Sequence, residues 1–156
     1  MRTGDRIYRS DVERPDVEVL VPVDGSNPAE AAVEYALEQF GDEEITALYV
    51  IDPVDGATTW GPGAADDWLA SAEERARRVL EDVAERTAAA GHDVDTDSTV
   101  GRPARTIVEY ADEGDFDHVV VGSHGRAGIS RVLLGSVAET VVRRSSVPVT
   151  VARRED

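Results

Sequence analysis

The chain has 156 residues, a one-domain length able to bury a sizeable core, and it carries 32 acidic against 16 basic side chains for a net charge of −16. That balance argues against nucleic acid held through its phosphates, because such binding needs a basic surface to release counterions. With no cysteine in the chain, disulfides, thiolate metal sites and thiol nucleophiles are excluded.

The opening residues 1–16 carry four acids and four arginines without apolar periodicity, and they read as a tail ahead of a domain over 17–156. They lack the apolar stretch of a signal peptide, and no later run approaches membrane-spanning length. The expectation is a soluble, cytoplasmic protein with no membrane partner. Every basic residue is arginine and none is lysine. A surface this acidic repels itself at low ionic strength and gains from screening, so a salt-rich cytoplasm is the leading expectation. An ordinary acidic protein from a GC-rich genome is the alternative.

From residue 17, strand and helix patterns alternate. VEVLVPVD (17–24) is a β-rich apolar run ending at Asp24. The helix after it places Ala29, Ala32, Val33, Ala36, Leu37 and Phe40 on one face. Asn27 before Pro28, with Glu30 three positions on, marks its start, and Gly41 marks its stop. ITALYVID (45–52) is a second strand, followed by a loop over 52–66 rich in glycine and proline. A long helix spans about 67–90 and ends at Gly91. HDVDTDSTV (92–100) alternates strictly, with Asp93, Asp95 and Asp97 on one side, as an edge strand guarded against foreign pairing does. A short helix from about Pro103 closes at Gly114, and FDHVVVG (116–122) is apolar enough at its centre to be covered on both faces. SVAETVVRRSS is the last helix and VPVTVA (147–152) the last strand. Such alternation predicts an α/β fold with a right-handed, parallel, doubly wound sheet.

In open sheets of this kind, ligands sit beyond the carboxyl ends of the strands, where successive crossovers go to opposite faces. Two strand ends stand out, Asp24 after the first strand and Gly122 after the fourth; if those strands are neighbours, the two share a crevice. GSHGRAGISRVLLGS (122–136) has the parts of an anion site: glycines admit a ligand close to backbone amides, and Gly135-Ser136 opens a helix whose free amides favour phosphate. Arg126 and Arg131 add positive charge that is otherwise scarce. Two blander readings stand beside this one. Ser136 and Glu139 have the S-x-x-E spacing of a capping box, and Asp24 lies where an acid commonly caps a helix, although Ser26 and Asn27 also offer caps.

Other chemistries fail on specific residues. A Walker loop lacks its lysine, and G-x-G-x-x-G follows no strand. DVDTDS imitates the start of a calcium loop, but Ser98 occupies the glycine position and Ala104 the bidentate acid position. His92, His118 and His124 lack the spacing of a helical metal pair. GSHG is not the nucleophile elbow G-x-S-x-G, so no catalytic residue is assigned to Ser123, His124 or Asp24.

Through Gly122, Gly125, Gly135 and Ser136 the loop fits G-x2-G-x9-G-[ST], and so resembles the signature of the nucleotide-binding branch of the universal stress protein family. VLVPVDGS, LYVID and SSVPVTVAR resemble that family's first, second and closing strands, so the likeness covers about 17–153. It implies a Rossmann-like, open five-stranded parallel sheet of order 3-2-1-4-5, and a homodimer through antiparallel pairing of the last strand, Val147 to Val151. Carried over, Pro22, Val23 and Asp24 would meet adenine and ribose, with Val50 at the base. Gly122, Ser123, His124, Gly125 and Arg126 would wrap ribose and phosphates, and Gly135, Ser136 and Val137 would present amides or a hydroxyl to the phosphates. Arg126 stands where family members often carry lysine, exchanging a point donor for a fork.

The resemblance implies ATP as ligand, with Mg2+ or Mn2+ able to bridge its phosphates, and a regulatory or sensing role in stress response. Slow ATP hydrolysis or phosphoryl transfer is the enzymatic alternative, although no obvious base stands near the γ-phosphate. A nucleotide-free dimeric interaction module is the structural alternative.

Overall fold

The computed structural model describes residues 17–56, 61–123 and 134–153. Five parallel strands, β1 (Glu18–Pro22), β2 (Glu44–Ile51), β3 (Val94–Val100), β4 (His118–Gly122) and β5 (Val149–Ala152), form one sheet of order β3-β2-β1-β4-β5. The helices are α1 (Asn27–Phe40), α2 (Ala64–Ala89), α3 (Pro103–Glu113) and α4 (Ser136–Arg144). The order and the parallel pairing are those the sequence led us to expect.

Uniformly apolar strands lie at the centre because both of their faces are covered. Val19 and Val21 of β1 and Val120 of β4 join Ala32 and Ala36 of α1 and Ala76 and Leu80 of α2 in one core. Leu20 and Val119, pointing the other way, pack with Ile107 of α3 and Val141 of α4 in a second core. The helices therefore divide two and two between the faces. The division falls between β1 and β4, which pair directly with Val19 opposite His118 and Leu20 opposite Val119. That is the switch point, where the crossovers diverge and leave a cleft above the strand ends.

At the sheet margins the pattern changes as the edge argument requires. Asp95 and Asp97 of β3 are exposed, and their charge discourages a sixth strand. At the opposite edge, β5 begins at Val149, two residues later than its apolar run, because Ser145 Oγ holds the preceding turn by accepting from Val147 N at 3.1 Å and donating to the Val147 carbonyl at 2.8 Å.

The structure bears out both ends expected for α1, at Asn27 and Gly41, and corrects one expectation at α4. The cap of α1 is Ser26, whose Oγ accepts from Ala29 N at 3.3 Å, so Asn27 lies inside the helix. Gly41 ends α1 in ordinary right-handed backbone; what it provides is space, since a Cβ there would stand 2.5 Å from the His92 ring. The Ser136/Glu139 capping box does not form: Gly135 is the cap residue, Ser136 is the first helical residue, and Glu139 pairs with Arg143 at 2.8 Å.

Candidate functional site

The cleft at the switch point is a cavity of about 560 Å³. Its β1 side is made by Pro22, Val23 and Asp24, and β2 contributes Leu48 and Val50 to its floor. Gly122 at the end of β4 and Gly135, Ser136 and Val137 at the start of α4 complete the opposite wall. Residues from the two halves of the chain thus meet because β1 and β4 are neighbours.

Each wall has a local cause. Asp24 leaves β1 and accepts from Ser26 N through Oδ1 at 2.9 Å, a turn that leads directly into the cap of α1. Asp24 is therefore not spared by Ser26: the two act in series, Asp24 folding the turn and Ser26 capping the helix. Gly25 between them takes φ +82, a left-handed conformation open to glycine at little cost. Gly122 has a different constraint. A Cβ on it would stand 2.6 Å from the carbonyl carbon of Pro28 and 2.9 Å from Ala29 N, so the first turn of α1 seats directly on this glycine.

The α4 end supplies donors. Gly135 is held in extended backbone, with its N–H donating to the Ser123 carbonyl at 2.7 Å. The first intrahelical bond then runs from Glu139 N to Gly135 O at 2.9 Å. The amides of Ser136, Val137 and Ala138 belong to the first turn, where no intrahelical acceptor exists, and all three residues line the cavity. With a glycine as cap residue there is no capping side chain to occupy them. This is the arrangement that favours an anion.

Ser123 is buried, with its N–H on the Ala152 carbonyl at 3.0 Å, and it does not line the cavity; its backbone instead ties β5 to the start of α4. His124, Gly125 and Arg126 lie outside the described residues, as does Arg131.

Several lining residues escaped the sequence reading. Asp52 and Asp55 contribute two more carboxylates, and Asp52 Oδ1 accepts from Val54 N at 3.0 Å in a short 3-10 turn (Pro53–Gly56). Asp52 had a usable signal, since it follows the strand next to β1 and obeys the same strand-end rule. Pro103 and Ile107 enter from α3, which reaches the cleft only through packing; nothing local in PARTIV announces it. The cavity is polarised, with three carboxylates toward the β1 and β2 ends and helix-terminal amides toward α4. Among the described residues, no group of three or more potential ligand side chains is arranged to hold a metal ion.

An open α/β sheet with its cleft at the switch point between β1 and β4 is an architecture that takes ligands at its strand ends, and comparison with known proteins narrows it. The family model described as "Universal stress protein family" matches residues 18–153, and the chain belongs to that family. Among curated relatives, Universal stress protein MJ0531 of Methanocaldococcus jannaschii is 31% identical over 160 residues, covering 99% of this chain and 87% of the relative. Among solved structures, protein MJ0577, from the same organism, superposes with a TM-score of 0.78 at 30% identity, covering 89% of this chain and 96% of that one. A universal stress protein solved in complex with cAMP superposes with a TM-score of 0.65 at 28% identity, covering 91% of this chain and all of the other, 100%.

Proposed function

We propose that this protein is an ATP-binding universal stress protein, regulatory or sensing in role, in which nucleotide occupancy shifts the conformations available to the binding loop and so alters partner recognition. The observation that carries this reading is the meeting, in one cavity, of the Asp24 turn and the uncapped amides of α4. A nucleotide laid across it places phosphate at the amides, where the helix dipole and N–H groups without an intrahelical acceptor favour negative charge, and its ribose near Asp24. Pro22, Val23 and Val50 then border the base. Gly122 borders the cavity, Ser123 supports it through its backbone bond to Gly135, and the G-x2-G-x9-G-[ST] motif brings in His124, Gly125 and Arg126, with Arg126 answering the phosphate charge. The cAMP complex of a relative supports an adenine nucleotide as the ligand class.

Mg2+ or Mn2+ would be held chiefly by the phosphates, since the described side chains do not by themselves form a metal site. Such an ion would offset phosphate charge beside Asp24, Asp52 and Asp55. We further propose a domain over 17–156, a homodimer through β5 and its flanking Val147, and action in the cytoplasm. The edge position of β5 and the half-buried Val149 and Val151 support the pairing. No helix among the described residues is long and apolar enough to cross a membrane.

Titration calorimetry with ATP, AMP and GTP in high salt, with and without Mg2+, tests the reading. Saturable ATP binding that is lost in Gly125→Val, with the fold intact, is the expected result. Absence of binding by every adenine nucleotide overturns it.

A further inference from the structure

A second cavity, of about 430 Å³, lies between α1 and α2 on the outer side of the sheet. Its floor is apolar, from Val33 and Leu37 of α1 and Val79 and Val83 of α2. This volume and character fall in the range of small-molecule sites. Arg86 of α2 reaches across to Glu30 of α1 at 3.1 Å and also pairs with Asp82 at 3.1 Å, so an ion pair straps the groove. A partner helix laid lengthwise would have to break that strap, whereas a compact molecule fits beneath it.

The charges around the cavity favour one sign. Arg78, Asp82 and Arg86 alternate along α2 and leave one positive charge, which the two acids of α1 outweigh. On the α1 side both charges are acidic, Glu30 and Glu34, and only Glu30 receives Arg86. Glu34 is exposed at the rim of an apolar floor, in a molecule with a net charge of −16 that attracts cations.

The second cavity also shares a wall with the first. Val23, Ser26 and Ala29 line both. Those residues carry the Asp24–Ser26 turn and the Ser26–Ala29 cap, so a body pressed against one side of this wall bears on the turn that presents Asp24 to the other.

We propose that the cavity between α1 and α2 is a second binding site, for a small apolar molecule bearing one ammonium group, and that its occupancy is transmitted to the switch-point crevice through the shared wall. The cation pairs with Glu34 while the apolar body covers Val33, Leu37, Val79 and Val83. This inference does not rest on nucleotide binding: it is argued from the lining of the α1–α2 cavity and from the wall it shares with the crevice.

The test is a titration of the full chain, free of nucleotide, with 2-naphthylmethylamine followed by methyl and amide NMR shifts; the isosteric 2-naphthylmethanol and 2-naphthoate are titrated in parallel. Saturable shifts at Val33, Val79 and Val83 are expected, with accompanying shifts at the Asp24 and Ser26 amides. The amine should bind at least threefold more tightly than the alcohol, and the naphthoate more weakly than either. Glu34→Gln, a change at an exposed position, should abolish the preference for the amine, and Val33→Trp should fill the site and abolish binding. Equal or tighter binding of the naphthoate, an unchanged preference in Glu34→Gln, or cavity shifts without any response at Asp24 and Ser26 would each overturn the proposal.

Discussion

Pro28 sits on Gly122: the carbonyl carbon of the first lies 2.6 Å from where a Cβ on the second would be. A residue of α1 and one at the end of β4 are thus pressed together where the two halves of the fold meet. Because the obstacle is backbone, it cannot rotate away, so Gly122→Ala forces α1 and β4 apart. The expected loss is roughly 1–3 kcal/mol, the usual cost of overpacking, with a reduced chemical-denaturation midpoint. An unchanged midpoint would mean that α1 re-seats without cost.

Ser136 offers a way to remove one donor while leaving the helix in place. It occupies the first helical position after Gly135, whose ψ of 156 suits a following proline. Ser136→Pro should therefore fold normally and yet lose both an amide and the hydroxyl. A hydrogen bond to a charged group contributes about 1.5–3 kcal/mol, so nucleotide affinity should fall by roughly tenfold or more by calorimetry. Ser136→Ala, which retains the amide, should lose less; equal losses would assign the effect to the hydroxyl.

Asp24 folds the turn before α1, and in the proposed nucleotide complex it also meets the ribose. Asn keeps an acceptor for Ser26 N and removes the charge, while Ala removes both. Thermal unfolding should show Asp24→Asn near the parent and Asp24→Ala lower by about 1 kcal/mol, the typical net worth of one hydrogen bond. Nucleotide affinity, if Asp24 holds the ribose through its charge, should fall in both. Affinity preserved in Asp24→Asn would leave the carboxylate a structural acceptor only.

Two groups give the stability a pH dependence of opposite sign. Tyr110 is pushed up to about 12, first by burial and then by its hydrogen bond of 2.5 Å to Asp97. Between about 10 and 12 the unfolded chain has lost this proton while the folded chain keeps it, so stability declines as pH rises through that window. Tyr110→Phe should flatten the alkaline decline. His118 is lowered from 6.5 by burial, beside Thr150 Oγ1 at 2.7 Å and the Phe40 ring at 4.9 Å. Its contribution is present above 6.5 and lost as pH falls through its folded value, because the unfolded chain takes up the proton first. In melts recorded across pH, His118→Gln should weaken the acid decline; an identical acid limb would place the sensitivity elsewhere.

The elements were legible in the sequence wherever one periodicity acted alone. The bare apolar runs of β1 and β4 announced strands covered on both sides, and the aspartates of β3 announced an edge, because burial on two faces, one face or none leaves different residues behind. Caps were harder to read. Ser26, Asn27 and Asp24 all carry a side-chain acceptor within one turn, and only the backbone path decides which of them meets a free amide. The same ambiguity made Ser136 and Glu139 look like a box, although the helix begins one residue too early for it.

By itself the sequence determined the order of strands and helices, the glycine motif that carries the family likeness, and Asp24 and Gly122 as strand ends worth joining. Tertiary structure decided that Gly122 is small to admit Pro28, that the Ser123 backbone ties β5 to the start of α4, and that Asp52, Asp55 and Ile107 share the crevice. The physical reason is range. Periodicity and capping act over a turn or a strand, and one chain displays them openly. A cavity wall is assembled from residues far apart in sequence, and which of them meet depends on how the sheet twists and where each helix lands.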